Sequence, residues 1–173
     1  MRYTILAALM ILAAAFSRLL PHPLNFAPIA AVALAGGVYL DKRLSLVIPI
    51  LALLISDWFL GFYPILYFVY GSVVVIGLAG LWLRGHKKPL PVFGATLFSS
   101  VLFFLVTNFG VWVTGPEMYP KTWSGLLACY AAGIPFFRNT VFGDLFYVAV
   151  LFGMFEALAY LLKHPAKVPN EAA

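Results

Sequence analysis

The chain has 173 residues, 64% of them hydrophobic and only 10% charged, a composition that excludes a water-soluble globule, which is nearer half apolar and a quarter charged. Its net charge of +5 does not mark a nucleic-acid partner, because the basic residues sit between apolar runs, where they act as topology signals. With Cys129 as the one cysteine, there is no internal disulfide and no CxxC or CxxH motif for zinc or haem.

The first apolar run predicts a membrane helix from about Tyr3 to Leu20, ended by Pro21-His22-Pro23. A signal peptide cleaved near Ala13-Ala14-Ala15 is the competing reading. The helix is favoured because the run approaches the roughly 20 residues that a span needs. A second, shorter helix is expected from about Ala27 to Leu40. Its Ala27, Ala31 and Ala35, with Gly36-Gly37, form a small-residue stripe suited to close helix approach in lipid. Asp41-Lys42-Arg43 makes a charged turn. Helix three is expected over Leu44 to Phe62, kinked at Pro49. Helix four covers Ile65 to Leu83, and Arg84 to Pro89 is a polar loop. Helix five runs over Val92 to Thr114.

The long connection Gly115 to Asn139 holds an apolar stretch, Trp123 to Phe137. At about 15 residues, and interrupted by Gly125, Gly133 and Pro135, it is short for a span and reads as a re-entrant or interfacial helix. The last helix is expected over Thr140 to Leu162. The expectation is therefore an all-α, polytopic transmembrane bundle of about six spans plus that short helix. It forms one domain over residues 1–163, followed by a polar tail over 164–173. With six spans, Arg2, Lys42, Arg43, Arg84, Lys87, Lys88, Lys163 and Lys167 fall on one side and only Arg18, Lys121 and Arg138 on the other. The excess of basic residues on cytoplasmic loops then places both termini in the cytoplasm.

Ionisable and polar residues at membrane depth are costly and point to function. Asp57, Asn108 and Asp144 fall about five or six residues inside the outer helix ends, roughly 8 Å deep at the helical rise. Arg18 and Arg138 cap outer helix ends, and His22 and Asn25 lie in the first outer loop. An outer pocket walled by aromatic residues with a few convergent polar groups is the usual make-up of a small-molecule site. The expected substrate contacts are His22, Asn25, Asp57, Asn108, Trp112, Arg138, Asn139 and Asp144. Asn108 donates and accepts, and Arg138 suits a carboxylate or phosphate. The competing reading has Asp57 or Asp144 paired with Arg18 or Arg138 merely to join helices. His22 and Asn25 also read as a plain loop histidine and a helix cap, and Cys129 as a small hydrophobe. The loop positions of His22, His86 and His164 argue against a haem, and no phosphate-binding loop is present. No catalytic residue, metal site or cofactor is expected, so the chain does not read as an enzyme.

The segments Pro21-His22-Pro23-Leu24-Asn25-Phe26-Ala27-Pro28, Ala33-Leu34-Ala35-Gly36-Gly37, Ile55-Ser56-Asp57, Thr107-Asn108-Phe109-Gly110-Val111-Trp112 and Pro135-Phe136-Phe137-Arg138-Asn139-Thr140, with Gly143-Asp144, resemble an uncharacterised bacterial family of six-helix membrane proteins. That family in turn resembles the substrate-binding S components of energy-coupling factor (ECF) vitamin transporters. The resemblance implies cytoplasmic termini and capture of a vitamin-like molecule or metal ion near the outer face, through the first, third and fifth loops. It also implies a partner, an ECF energising module with two ATPases, on which the S component topples in the bilayer. S components commonly carry an alanine-xxx-alanine docking stripe on helix one. In this chain the stripe is on helix two. The alternative function is a non-transporting structural or assembly subunit that packs its small-residue faces on a partner. A filled interior with every charge paired would favour that alternative, and a cavity lined by Asp57, Asn108, Arg138 and Asp144 would favour capture.

Overall fold

The structure is a computed structural model and describes residues 2–21, 23–115 and 118–164. The described residues form six α-helices: α1 Arg2–Phe16, α2 Ile29–Tyr39, α3 Val47–Leu60, α4 Leu66–Leu83, α5 Pro89–Thr114 and α6 Trp123–Lys163, with one 3-10 turn at Ser17–Leu19. No strand occurs among the described residues. Helices α4, α5 and α6 are long and apolar enough to cross a membrane, while the apolar helical segments Ala7–Leu19, Ile29–Tyr39 and Val47–Leu60 are shorter. By helix length and hydropathy this is a membrane protein.

Local chemistry sets the helix ends. Pro89 and Pro91 occupy the first turn of α5, where the missing N–H has no intrahelical partner to lose. The Thr122 hydroxyl accepts the Gly125 N–H at 3.2 Å and caps α6. Gly61, at φ 90°, ends α3 with a backbone that side chains resist. Pro49 is buried in the first turn of α3, where no helix hydrogen bond is owed to it, so the kink expected there is not required.

Helix α2 lies at the centre. Every residue from Ala30 to Tyr39 is buried, and the helix packs against all five others. A helix that is apolar all round belongs in such a place. Small residues make the packing possible. A Cβ added to Gly37 would stand 2.6 Å from Gly80 Cα, and one added to Gly80 would stand 2.5 Å from the Leu34 carbonyl oxygen. The backbones of α2 and α4 are therefore in direct contact. Arg84, just past α4, donates through Nε (3.1 Å) and Nη2 (2.7 Å) to the Gly37 carbonyl, and also through Nη2 to the Leu40 carbonyl. It satisfies carbonyls that the end of α2 leaves unpaired and complements the helix dipole. Beside it, Tyr39 stacks on Phe155 at 4.2 Å, donates to Glu156 Oε1 at 2.8 Å and lies under Lys87.

The segment expected as a separate re-entrant helix is instead the first part of α6, a continuous helix of 41 residues. The glycines read as interruptions are packing positions. A Cβ on Gly133 would meet Asn108 Oδ1 at 2.5 Å and Phe104 Cε2 at 2.9 Å. Pro135 stays inside the helix. It forfeits one hydrogen bond, and the packing of Phe104 on Phe137 and Tyr130, with centroids at 4.7 and 5.7 Å, holds both sides of it to α5. At about 1.5 Å per residue α6 is roughly 60 Å long, about twice the hydrocarbon thickness of a bilayer.

The glycine contacts yield a test with opposite signs. Gly80→Ala is expected to destabilise the bundle by about 1–3 kcal/mol, because the added methyl meets backbone. Gly94→Ala, on a helix face with nothing within 4 Å of the new atom, is expected to be neutral or to stabilise by roughly 0.5–1 kcal/mol. Thermal unfolding of both variants in detergent reads the difference.

Candidate functional site

The end of the bundle that carries the α1–α2, α3–α4 and α5–α6 connections is not filled. A cavity of about 370 Å³ opens there above the start of α2. Its walls are mostly apolar, from Leu24, Ala27, Ile29, Ala30, Leu60, Ile65, Val69 and Phe103, with Arg18, Asn25, Tyr63, Thr107, Thr140 and Asp144 among them. A second cavity of about 350 Å³ shares Leu24, Asn25, Ile65 and Thr107 with the first and continues to Asn108, Val111, Tyr119, Cys129, Ala132, Gly133 and Phe136. The two lobes share the Leu24–Asn25 segment as a common wall. Asn25 holds that segment with φ 60°, a left-handed conformation that asparagine tolerates better than most residues.

The two acidic residues expected at this depth have different surroundings. Asp57 is fully buried and does not line either lobe. Its Oδ1 pairs with Arg18 Nη2 at 2.8 Å, and its Oδ2 accepts from Tyr70 (3.0 Å) and Tyr63 (3.4 Å). Arg18 Nη1 also donates to the Ser56 hydroxyl at 2.7 Å. The pairing of Asp57 with Arg18, the competing reading, is what the fold contains. Burial, and then the Asp57 charge, push the Tyr63 phenol in the α3–α4 connection up to about 12, which keeps it a donor. Asp144 lies on the cavity wall and is 2% exposed. Its Oδ2 meets the Ser100 hydroxyl at 2.6 Å, and among the described residues it has no cationic partner. Ser100 is also 3.1 Å from the Thr96 carbonyl, yet its hydroxyl has one hydrogen to give.

The other expected contacts divide. Asn25 lines both lobes, and Asn108 lines the second, where its Nδ2 donates to the Phe104 carbonyl at 2.8 Å. Asn139 does not line the space but donates to the Leu24 carbonyl at 2.9 Å, which ties α6 to the loop that walls it. Trp112 is a strut of the α5–α6 connection: its Nε1 donates to the Pro120 carbonyl at 2.9 Å, and Lys121 lies over its ring and bonds its carbonyl. Arg138 is exposed and lines neither lobe. His22 lies outside the described residues. Contributors not singled out as contacts include Arg18, Tyr63, Thr107 and Thr140 on the wall and Ser100 behind Asp144. The signal for Ser100 is its place in a run of hydroxyls, Thr96, Ser100 and Thr107, at helical spacing on one face of α5. Among the described residues no three His, Cys, Asp or Glu side chains gather to hold a metal ion.

The Arg18–Asp57 pair is expected to be structural. Arg18→Gln and Asp57→Asn should each lose about 3 kcal/mol or more, since each strands a buried charge. The double variant should lose less than the sum, and a double-mutant cycle of unfolding in detergent measures the coupling.

No curated protein and no solved structure matches the chain. A family model does match, over residues 1–167, and its description is a family of unknown function, DUF6580. The chain therefore belongs to the DUF6580 family.

Proposed function

We propose that this protein is a membrane-embedded capture subunit for a small molecule, of the kind found in S-component-like uptake systems for micronutrients. The observation that carries the reading is the unfilled, two-lobed cavity with the carboxylate of Asp144 on its wall. A volume of a few hundred Å³ with apolar walls and few polar groups is what small-molecule sites have in common. A purely structural bundle has no use for that space, and filling it would add packing energy.

In this reading the three shorter helices also cross the bilayer with their flanking turns, for six spans in all. The distribution of basic residues puts both termini in the cytoplasm of a bacterial cell and the cavity at the outer face of the inner membrane. A substrate enters from outside, and the Pro21–Pro28 loop closes over it. Partnership with an ECF energising module rests on the resemblance alone. Ala31 and Ala35 of the small-residue stripe are fully buried inside the bundle, so that stripe is spent on internal packing. A module would have to dock on another face, and a transporter that works alone is equally compatible with the fold. The structural-subunit alternative draws on the Arg18–Asp57 pair, which joins helices and captures nothing.

Native mass spectrometry of the protein gently purified from its own host tests capture. A small molecule retained by the wild type and lost in Asp144→Ala is the expected result. An empty protein that arrives bound to another membrane subunit would establish the structural alternative instead. The orientation has its own check: alkaline phosphatase fused after Leu162 should be inactive, and fused in the α5–α6 connection it should be active.

A further inference from the structure

The charges around the cavity do not cancel. Among the described residues Arg18 is the one cation on its walls, and Asp57 neutralises it through a 2.8 Å ion pair from behind. Among the described residues that line the two lobes, Asp144 is then the one ionisable acid, and it has no cationic partner. It is 2% exposed and held by a single hydroxyl, that of Ser100. A carboxylate taken out of water with one neutral hydrogen bond is far from compensated, and without a counterion such a group takes up a proton instead. A second donor that carries positive charge would remove that deficit.

We infer that the cavity takes an organic cation, a molecule with a protonated amine that meets Asp144 and an apolar or aromatic body that lies along the apolar walls. This rests on the capture reading and names its substrate class. An inorganic cation fits the site poorly, because hard metal ions need several oxygen ligands and no acidic cluster accompanies Asp144 among the described residues. An anionic ligand would face the unpaired carboxylate, with Arg18 already engaged. A neutral ligand would leave Asp144 without the positive partner that keeps it ionised. Phe103 on the wall of the first lobe and Phe136 on the second supply faces for an apolar body. Ser100 orients the carboxylate: an ionised Asp144 takes its one hydrogen and leaves Oδ1 for the ammonium.

Isothermal titration of the full chain in lipid nanodiscs tests the inference with three probes of one shape: phenethylamine, 2-phenylethanol and 3-phenylpropionate. The amine is expected to bind the wild type at least about tenfold more tightly than the alcohol, the carboxylate most weakly, and Asp144→Asn should erase the preference for the amine. The ranking in the wild type stands as evidence even where the variant does not fold. Equal binding of amine and alcohol, a preference for the carboxylate, an amine preference that survives in a folded Asp144→Asn, or no saturable binding of the amine would each overturn the cation. Capture itself is decided separately, by whether the host-purified protein retains a small molecule. If it does while the amine shows no preference, capture stands and the substrate class falls.

Discussion

Where Gly37 meets Gly80, two helix backbones touch without side chains between them, and that contact fixes α2 at one end of the bundle. Arg84 reinforces the register by holding the carbonyls of Gly37 and Leu40 from the end of α4. Helix α2 has 11 residues and α4 has 18, so α2 is shorter by roughly 10 Å at the helical rise. Anchored at the Gly37 end, it runs out before it reaches the start of α4. The shortfall is where the cavity lies, with Ile29 and Ala30 as its floor and Val69 of α4 on its wall. The Leu24–Asn25 segment bridges the gap and is held in place by Asn139. The site is thus a consequence of helix length and register, and no side chain needed to be removed to make it.

Electrostatics then separates two carboxylates at the same depth. Asp57 has an arginine, two tyrosine donors and no exposure, and behaves as a bolt between α3, α4 and the turn after α1. Asp144 has one serine and faces open space. The difference arises because the turn Ser17–Leu19 brings Arg18 to Asp57, while no basic residue on α5 or α6 reaches Asp144. One acid is spent on an ion pair behind the cavity wall, and the other stands on the wall without a cationic partner.

Much of this architecture is legible in the sequence because prolines, glycines and charged turns punctuate apolar runs. Pro21, Asp41, Pro64 and Arg84 each separate helices as expected. The long α6 was not legible, since Gly125, Gly133 and Pro135 look alike as breakers and as packing positions until the partner helix is known. The placement of the site at the odd-loop end, and of Asp144 and Asn108 in it, follows from depth along the helix alone. Depth does not give direction. Arg138 and Asp144 are six residues apart, about 240° around a helix at 3.6 residues per turn. Gly133, Phe136, Thr140 and Asp144 follow one stripe into the cavity, and Arg138 lies off it. The pairing of Asp57 with Arg18 needed the fold, because the two are distant in sequence and several partners were equally plausible.

The central position of α2 has a consequence for how the protein is made. An 11-residue helix is too short to settle across a bilayer by itself. Its main support, α4, and its other neighbours α5 and α6 emerge from the ribosome only after it. During synthesis α2 must therefore wait beside α1, with much of its surface uncovered, until α3 to α6 follow to enclose it. Insertion cannot proceed as a simple series of independent spans. The order of translation and the order of packing are reversed at this helix, and the last helices to be made complete the first part of the core.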